Sequence, residues 1–188
     1  MSKKLILIVG LAGSGKSTIS KFIKNKFNAD VFRTGDIIRE EIRRKGLERT
    51  TKNEISIANW FFANRKREKI IIERIAEKIK KSNKKIIVIE GLTTYENLKY
   101  LEKLVEIKPI IFSVTTTLNM RVKRESKRCR FHKKRNTEYV KSRDDFEKSR
   151  GIDKLMKKAD YTIDNSKLNK KQTNERANRI MKEILASS

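Results

Sequence analysis

The feature that most constrains the fold is a glycine-rich stretch that follows directly on an apolar run. Residues 5–9 are all aliphatic, and they lead into the pattern G-x-x-x-x-G-K-S. The stretch consists of Gly10, Leu11, Ala12, Gly13, Ser14, Gly15, Lys16, Ser17 and Thr18. Glycines let successive backbone N–H groups turn inward around phosphate oxygens, because no side chain stands in the way. Between a predicted strand and a predicted helix, this pattern predicts a phosphate-binding loop over residues 10–18.

The side chains of this loop predict which ligand it takes. We expect the ammonium group of Lys16 to reach the β- and γ-phosphates of a nucleotide, and the hydroxyl group of Ser17 to ligate Mg²⁺. The positive end of the following helix adds to the attraction. ATP and Mg²⁺ are therefore the expected cofactors, with GTP left open because no motif reads the base unambiguously.

Strands and helices alternate along the rest of the chain. Four more strands are predicted by apolar runs, at residues 29–32, 85–90, 109–114 and 159–163. Helical spacing separates them, and long helical stretches are predicted over residues 53–81 and 142–158. Near-continuous apolar strands indicate a buried parallel sheet with helices on both faces. The chain is predicted to be an α/β protein with three layers, a five-stranded parallel sheet and one domain over residues 1–188.

The charge balance points to anionic partners. The chain has 48 Lys and Arg residues against 23 Asp and Glu residues, a formal net charge of +25. Such a surface attracts polyanions, which makes RNA a candidate partner. A compositionally biased genome explains the same charge, and charge alone is a sequence-independent signal.

Cysteine content and the amino terminus predict the compartment. The single cysteine, Cys129, cannot form an internal disulfide, which agrees with a reducing environment. The apolar stretch near the amino terminus spans only about five residues, too few for a signal peptide or a membrane span. We expect a cytoplasmic protein without a membrane partner, and the oligomeric state stays open.

A second motif follows the predicted second strand. Its residues are Arg33, Thr34, Gly35, Asp36, Ile37, Ile38 and Arg39. A guanidinium group suits phosphate, and a carboxylate holds Mg²⁺ or orients an attacking oxygen. A helix capped by Thr34, with Asp36 stabilising its first turn, explains the same residues, and both interpretations hold together.

With the phosphate-binding loop, this motif resembles the nucleoside monophosphate kinases, in which adenylate kinases carry a T-G-D-x-x-R run. The resemblance implies a P-loop kinase fold with strand order 2-3-1-4-5 and a helical acceptor-binding region over residues 35–82. It implies that Thr34 and Gly35 face the acceptor, that Arg39 binds its phosphate, and that Asp36 lies close to the metal.

The predicted third strand ends in Glu90 and Gly91. Glu90 stands where a carboxylate touches Mg²⁺ or its waters, so the candidate metal ligands are Ser17, Asp36 and Glu90. Gly91 would permit close approach of the acceptor. Many relatives carry an arginine shortly after this position, and the stretch 92–94 lacks one.

A strongly basic segment follows the predicted fourth strand. Residues 121–135 contain nine basic residues and one acidic residue, a local charge of +8. Small kinases carry an arginine-rich lid there, so the resemblance implies a lid over residues 121–143. Its candidate catalytic arginines are Arg121, Arg124, Arg128 and Arg143. A closing lid would supply positive charge near the migrating phosphoryl group and exclude water; a solvated basic surface is the alternative.

The carboxyl-terminal part adds to the resemblance. The run A-D-Y-x-I-x-N at residues 159–165 resembles the last strand of dephospho-CoA kinases and of an archaeal group of adenylate-kinase-related proteins. That group shares the D-x-x-R-E-E run at residues 36–41. Residues after the fifth strand commonly border the adenine in this fold, which implies a base contact by Asn165.

Three functions are compatible with these motifs. The first is an ATP-dependent phosphotransferase acting on a nucleotide or nucleotide-like acceptor, in which Lys16, Asp36, Arg39 and the lid arginines carry the chemistry. The second keeps the ATP site but acts on RNA, as a polynucleotide kinase or an RNA-associated ATPase. The third is a regulatory nucleotide-binding module without kinase chemistry.

Overall fold

The computed structural model describes residues 3–127 and 136–186. Its sheet has five parallel strands in the order β2-β3-β1-β4-β5, which confirms the predicted order and architecture. The strands are β1 (Lys4–Val9), β2 (Asp30–Arg33), β3 (Ile86–Glu90), β4 (Ile110–Thr115) and β5 (Tyr161–Asp164). Every predicted strand is present, with ends shifted by one or two residues.

Helices connect the strands within the described ranges. They are α1 (Lys16–Phe27), α2 (Thr34–Arg44), α3 (Thr51–Phe62), α4 (Arg65–Lys81), α5 (Tyr95–Val105), α6 (Leu118–Ser126), α7 (Thr137–Ser149), α8 (Ile152–Lys157) and α9 (Lys170–Ala186). Most follow the helical periodicity of the sequence.

Two long predicted helices are each divided in two, and local caps explain both breaks. The predicted helix over residues 53–81 is interrupted at Asn64. The Asn64 side chain accepts a hydrogen bond from the backbone N–H of Arg67 at 3.0 Å and so caps the start of α4. Gly151, at φ +89°, separates α7 from α8. A left-handed residue cannot continue a right-handed helix, and glycine adopts that conformation without strain.

Alternation along β1 builds a core on each face of the sheet. Leu5, Leu7 and Val9 point to one face, where they pack with residues of α2 to α5 and α8. Ile6 and Ile8 point to the other face, where residues of α1 and α9 cover them. All five side chains are buried. The three layers of the predicted fold follow directly from this period of two.

The carboxyl ends of the strands meet at one edge of the sheet. Arg33 at the end of β2 pairs in register with Glu90 at the end of β3, and Glu90 pairs with Ile8 of β1. Thr115 of β4 lies beside Asp164 of β5. The loops that carry the predicted site residues therefore leave the sheet together, where open α/β sheets bind their ligands.

The helices within residues 3–127 and 136–186 differ from membrane spans in length and polarity. In those ranges, every helix is too short or too polar to cross a bilayer.

Candidate active site

The phosphate-binding loop has the backbone that its glycines predict. Gly10, Gly13 and Gly15 have φ values of +145°, +79° and +112°, which L side chains rarely adopt. Steric crowding also excludes larger residues at these positions. A Cβ on Gly10 would overlap the carbonyl oxygen of Val114, and one on Gly15 would overlap the amide of Asn165. A Cβ on Gly13 would lie 2.9 Å from the carbonyl oxygen of Arg121, so distant residues restrict all three positions to glycine.

Lys16 and Ser17 occupy the first turn of α1 beside the loop. The Lys16 ammonium donates to the carbonyl of Leu11 at 3.0 Å and to that of Gly10. The Ser17 hydroxyl donates to Oε2 of Glu90 at 3.2 Å. Two of the three candidate metal ligands, Ser17 and Glu90, are therefore neighbours across the loop.

Glu90 is buried, at 5% exposure, and its carboxylate has two further partners, which also contact each other. Arg33 donates from Nε to Oε1 of Glu90 at 2.9 Å, and the Ser20 hydroxyl donates to the same oxygen. Arg33 also donates to the hydroxyl of Ser20 at 3.2 Å. A buried carboxylate needs such partners to stay charged. Sequence reasoning missed Arg33 as a site residue, although its register opposite Glu90 was the available signal.

The second motif, residues 33–39, which we call the acceptor motif, forms the end of β2 and the start of α2. Thr34 is the first helical residue, with Arg33 in the cap position, so Thr34 is not the cap that the simpler interpretation expected. Its hydroxyl donates to the carbonyl of Gly91 at 3.2 Å. Gly91 has φ +93°, and a Cβ there would overlap the Thr34 hydroxyl. The predicted substrate residues Thr34 and Gly91 are thus in direct contact.

Asp36 and Arg39 form an ion pair one turn apart on α2. Gly35 makes room for this pair, since a Cβ there would lie 3.3 Å from Nη1 of Arg39. Both charged residues line a small groove of about 170 Å³. Asp36 is bonded to Arg39, whereas Ser17 is bonded to Glu90.

Arg121, which is predicted to act on a phosphoryl group, lies in a buried ion pair. Its guanidinium forms two hydrogen bonds of 2.6 Å with the carboxylate of Asp144, and both residues are buried. A third contact, of 3.4 Å, reaches the carbonyl of Ala12 in the loop. A bidentate pair of this kind orients the guanidinium firmly. Arg121 therefore joins α6 to α7 behind the loop as a structural residue.

Arg124 and Asn165 hold the loop from the side of β5. Arg124 donates to the carbonyl of Ser14 at 3.0 Å, to that of Gly13 at 3.3 Å and to that of Asn165 at 2.9 Å. The Asn165 amide donates to the carbonyl of Ser14 at 2.8 Å and accepts from the Thr173 hydroxyl at 2.7 Å. Asn165 is 3% exposed. With both ends of its amide bonded, Asn165 supports the loop, and its contact with a base stays a prediction.

Of the remaining lid candidates, the structure describes Arg143. Arg143 on α7 has a half-exposed side chain that donates to Glu147 at 2.9 Å. Arg128 lies outside the described residues, as does the central part of the predicted lid, 128–135. The lid itself stays a prediction.

An arginine from another part of the chain approaches the loop that lacks one. Arg150 donates from Nε to the hydroxyl of Thr93 at 3.3 Å and pairs with the buried carboxylate of Glu68. Its guanidinium stacks on the ring of Phe62 at 4.5 Å, and Asn97 donates to Glu68 at 2.5 Å. Arg150 thus lies beside residues 92–94, a placement that no local motif indicates.

One carboxylate on the acceptor side has a strongly shifted pKa. Glu41 on α2 is buried, and Arg44 and Arg74 donate to it at 2.6–3.0 Å. The hydrogen bonds from Arg44 are the largest cause, those from Arg74 add to them, and burial opposes both. Together they lower the pKa of Glu41 from 4.5 to about 2. The pair with Arg74 also ties α2 to α4.

Comparisons with known proteins agree with this geometry. The family described as "AAA domain" matches residues 9–150. A UPF0200 protein of Hyperthermus butylicus is 31% identical over 161 residues, covering 86% of this chain and 84% of that protein. A UPF0200 protein of Methanococcus vannielii is 31% identical over 185 residues and 97% of each chain. This chain belongs to the AAA-domain family and to the UPF0200 proteins.

Solved structures place the family's fold among P-loop kinases. Shikimate kinase from Acinetobacter baumannii, in complex with shikimate, aligns with TM-score 0.60 at 17% identity over 99% of this chain and 95% of that one. A gluconokinase from Sinorhizobium meliloti aligns with TM-score 0.58 at 14% identity over 99% and 97%. At these identities the likeness concerns the fold, and it confirms the predicted P-loop kinase fold.

Few protein side chains at the site are placed to bind a cation. Over residues 3–127 and 136–186, no group of three or more His, Cys, Asp and Glu side chains is arranged to hold a metal. One hydroxyl and one carboxylate, Ser17 and Glu90, fit a Mg²⁺ ion that takes its other ligands from phosphates and water. The donor set therefore suits a metal that arrives with a nucleotide.

Proposed function

We propose that this protein is an ATP-dependent phosphotransferase that moves the γ-phosphoryl group of Mg-ATP to a nucleotide or nucleotide-like acceptor. The contact between Ser17 and Glu90 beside the phosphate-binding loop is the observation that carries the proposal. It puts a hydroxyl and a buried carboxylate next to the loop, at the same sheet edge as the acceptor motif. Mg-ATP, when bound, supplies the phosphoryl group and the metal charge that neutralises it.

The loop residues bind and orient the phosphates. Backbone N–H groups of residues 10–18 donate to phosphate oxygens, and Lys16 exchanges its carbonyl partners for phosphate. Ser17 and Glu90 hold the metal. Arg124 and Asn165 fix the Ser14 carbonyl, so the N–H groups stay oriented without reorganising on binding.

The acceptor side positions the attacking group. Thr34 and Gly91 shape the wall of the acceptor site, and Arg39 exchanges Asp36 for an anionic group of the acceptor. The released Asp36 carboxylate then orients the attacking oxygen. Arg128 and Arg143 are the arginines proposed to close over the migrating group, while Arg121 joins α6 to α7 and Arg124 holds the loop.

An acceptor screen with radiolabelled ATP tests the proposal. The screen covers ribo- and deoxynucleoside monophosphates, dephospho-CoA and RNA with a free 5′ hydroxyl. Lys16→Ala is expected to lower turnover by about 100-fold or more, since one such donor is worth about 100- to 1,000-fold. Lys21→Ala is the matched control, because Lys21 is exposed on the same helix. Wild-type turnover by Lys16→Ala would refute the proposal.

The same screen separates the alternatives. Product formed only from RNA identifies a polynucleotide kinase. Saturable ATP binding with no product from any acceptor identifies a regulatory module. Arg150 beside residues 92–94 argues for a working acceptor site, because it supplies a guanidinium where the sequence lacked one.

A further inference from the structure

A groove of about 510 Å³ lies between α1 and α9, on the opposite face of the sheet from the acceptor-binding helices. Three of its lining residues are lysines, namely Lys26, Lys170 and Lys171. None of the groove residues belongs to the phosphate-binding loop or to the acceptor motif. The groove is therefore a separate feature, which the proposed phosphotransfer does not use.

Each wall of the groove is a row of side chains on one helix. Lys170, Asn174 and Asn178 follow one another at intervals of four residues on α9, and Phe22 and Lys26 do so on α1. Residues four apart lie on the same helix face, about 6 Å apart along the axis. The ammonium of Lys26 lies 5.7 Å from the centre of the half-buried Phe22 ring. Cations and one aromatic ring thus line the same channel.

Two polar atoms of the groove lack protein partners. The Oδ1 atoms of Asn174 and Asn178 are buried and accept no hydrogen bond from any group in residues 3–127 and 136–186. A buried acceptor without a donor costs about 1–3 kcal/mol. Both residues line the groove, so a ligand with N–H groups would satisfy these atoms once the two side-chain amides turn towards it.

The charge of the two helices favours an anionic ligand. The sequence of α1 contains four lysines and no acidic residue. The sequence of α9 contains five basic and two acidic residues, and one of the acids, Glu175, lines the groove. A ligand that suits all these groups carries phosphates for the lysines, a flat ring for Phe22 and amino groups for the asparagines.

We infer that this groove binds a segment of single-stranded nucleic acid. Its phosphates lie on Lys26, Lys170 and Lys171, and a base packs on Phe22. The exocyclic amino groups of neighbouring bases donate to Asn174 and Asn178. Lysines that track a backbone beside an aromatic platform are the usual means of binding single strands.

Charge-reversal variants with equal net charge test the site. Binding of a fluorescein-labelled 12-nucleotide RNA is measured by anisotropy for K170E/K171E and for K80E/K81E, a matched control at the exposed end of α4. The groove variant is expected to bind at least about 10-fold more weakly at ~100 mM salt, with a log–log salt slope shallower by about 0.7 per lysine. The control changes binding by less than about 3-fold. Equal losses in both variants, or no measurable RNA binding by the wild type, would overturn the inference.

A second pair of measurements probes the ring and the strand. Phe22→Leu keeps the apolar packing against Phe27 but removes the stacking surface, and it is expected to weaken binding by about 5-fold or more. Unchanged affinity speaks against a base on this ring. Uridine and adenosine monophosphates compete with the labelled RNA in parallel. Displacement of the RNA at ~1 mM mononucleotide would identify a free nucleotide as the ligand and overturn the inference that the groove binds a single-stranded segment.

Failure of this inference is distinguishable from failure of the proposed function. Lys16→Ala is expected to lose phosphotransfer and to retain wild-type affinity for the labelled RNA. Loss of RNA binding in Lys16→Ala would place the strand in the phosphate-binding loop and overturn the groove. Circular dichroism melting of K170E/K171E and K80E/K81E checks that both remain folded at the assay temperature.

Discussion

The nucleotide side and the acceptor side of the same sheet edge are built in different ways. The nucleotide side is a contiguous loop, residues 10–18, whose backbone conformation is set by glycines and held by carbonyl contacts. The acceptor side consists of charged side chains in pairs, Asp36 with Arg39 and Glu68 with Arg150. The backbone of such a loop binds without rearrangement and only the Lys16 side chain changes partners, whereas on the other side both members of each pair must exchange partners. We therefore expect the first to be rigid and specific for phosphate, and the second to respond to pH and to its ligand.

The strongest test of rigidity on the nucleotide side is Asp144→Ala. This change leaves Arg121 buried and uncompensated behind the loop, which is expected to lower the free energy of unfolding by about 3–5 kcal/mol. Urea denaturation followed by circular dichroism measures it. The control is Asp145→Ala at the exposed neighbouring position, with an expected change within about 0.5 kcal/mol. Similar values for both variants would show that the pair does not hold the loop.

Gly15→Ala separates backbone strain from steric overlap in the loop. Gly15 has φ +112°, and an added methyl group meets the Asn165 amide. Strain and overlap together are worth about 3 kcal/mol, so the Kd for ATP is expected to rise about 100-fold. Gly46 has φ +64°, and no atom lies within 4 Å of a Cβ added there. Gly46→Ala therefore introduces backbone strain without steric overlap. Calorimetric titration should show normal ATP affinity for Gly46→Ala; equal weakening in both would indicate a global effect.

Acid should weaken the acceptor side through Glu41. Its pKa falls from 4.5 to about 2 on folding, so its stabilisation is present above pH 4.5 and is lost as the pH falls towards 2. The shift corresponds to about 2–3 kcal/mol. The difference in unfolding free energy between wild type and Glu41→Gln should shrink by roughly half between pH 7 and pH 3. A difference that stays constant would contradict the assignment.

The smallest expected effect concerns the contact between the two halves of the acceptor wall. Thr34→Val removes the hydroxyl that donates to Gly91 and keeps the shape of the side chain. We expect a loss of about 1 kcal/mol in unfolding free energy, with ATP affinity unchanged. Thr34→Ser should behave as the wild type within about 0.5 kcal/mol. A weaker ATP affinity in Thr34→Val would show that the two sides are coupled more tightly than their separate construction suggests.

The sequence predicted the parts that local rules determine. Apolar runs identified all five strands, and glycine spacing identified the loop, because both depend on neighbours in the chain. It could not predict that Arg121 pairs with Asp144, or that Arg150 reaches Thr93 across more than fifty residues. Helical periodicity places an arginine on a face, but the tertiary fold decides which carboxylate it meets. The helix breaks at Asn64 and Gly151 show the same limit on a smaller scale. The apolar residues keep their helical spacing across both positions, so the periodicity does not reveal the caps.

The hydrogen bond from Asn165 to Ser14 has a consequence for where the nucleotide site ends along the chain. The family match stops at residue 150, yet the amide that secures the loop sits after β5 and is itself fixed by Thr173 on α9. A protein truncated after residue 150 would retain the whole glycine-rich loop but lose the hydrogen bond from Asn165 that holds it. The glycine-rich loop near the amino terminus is therefore held by residues near the carboxyl terminus, and α9 contributes to its support through Thr173.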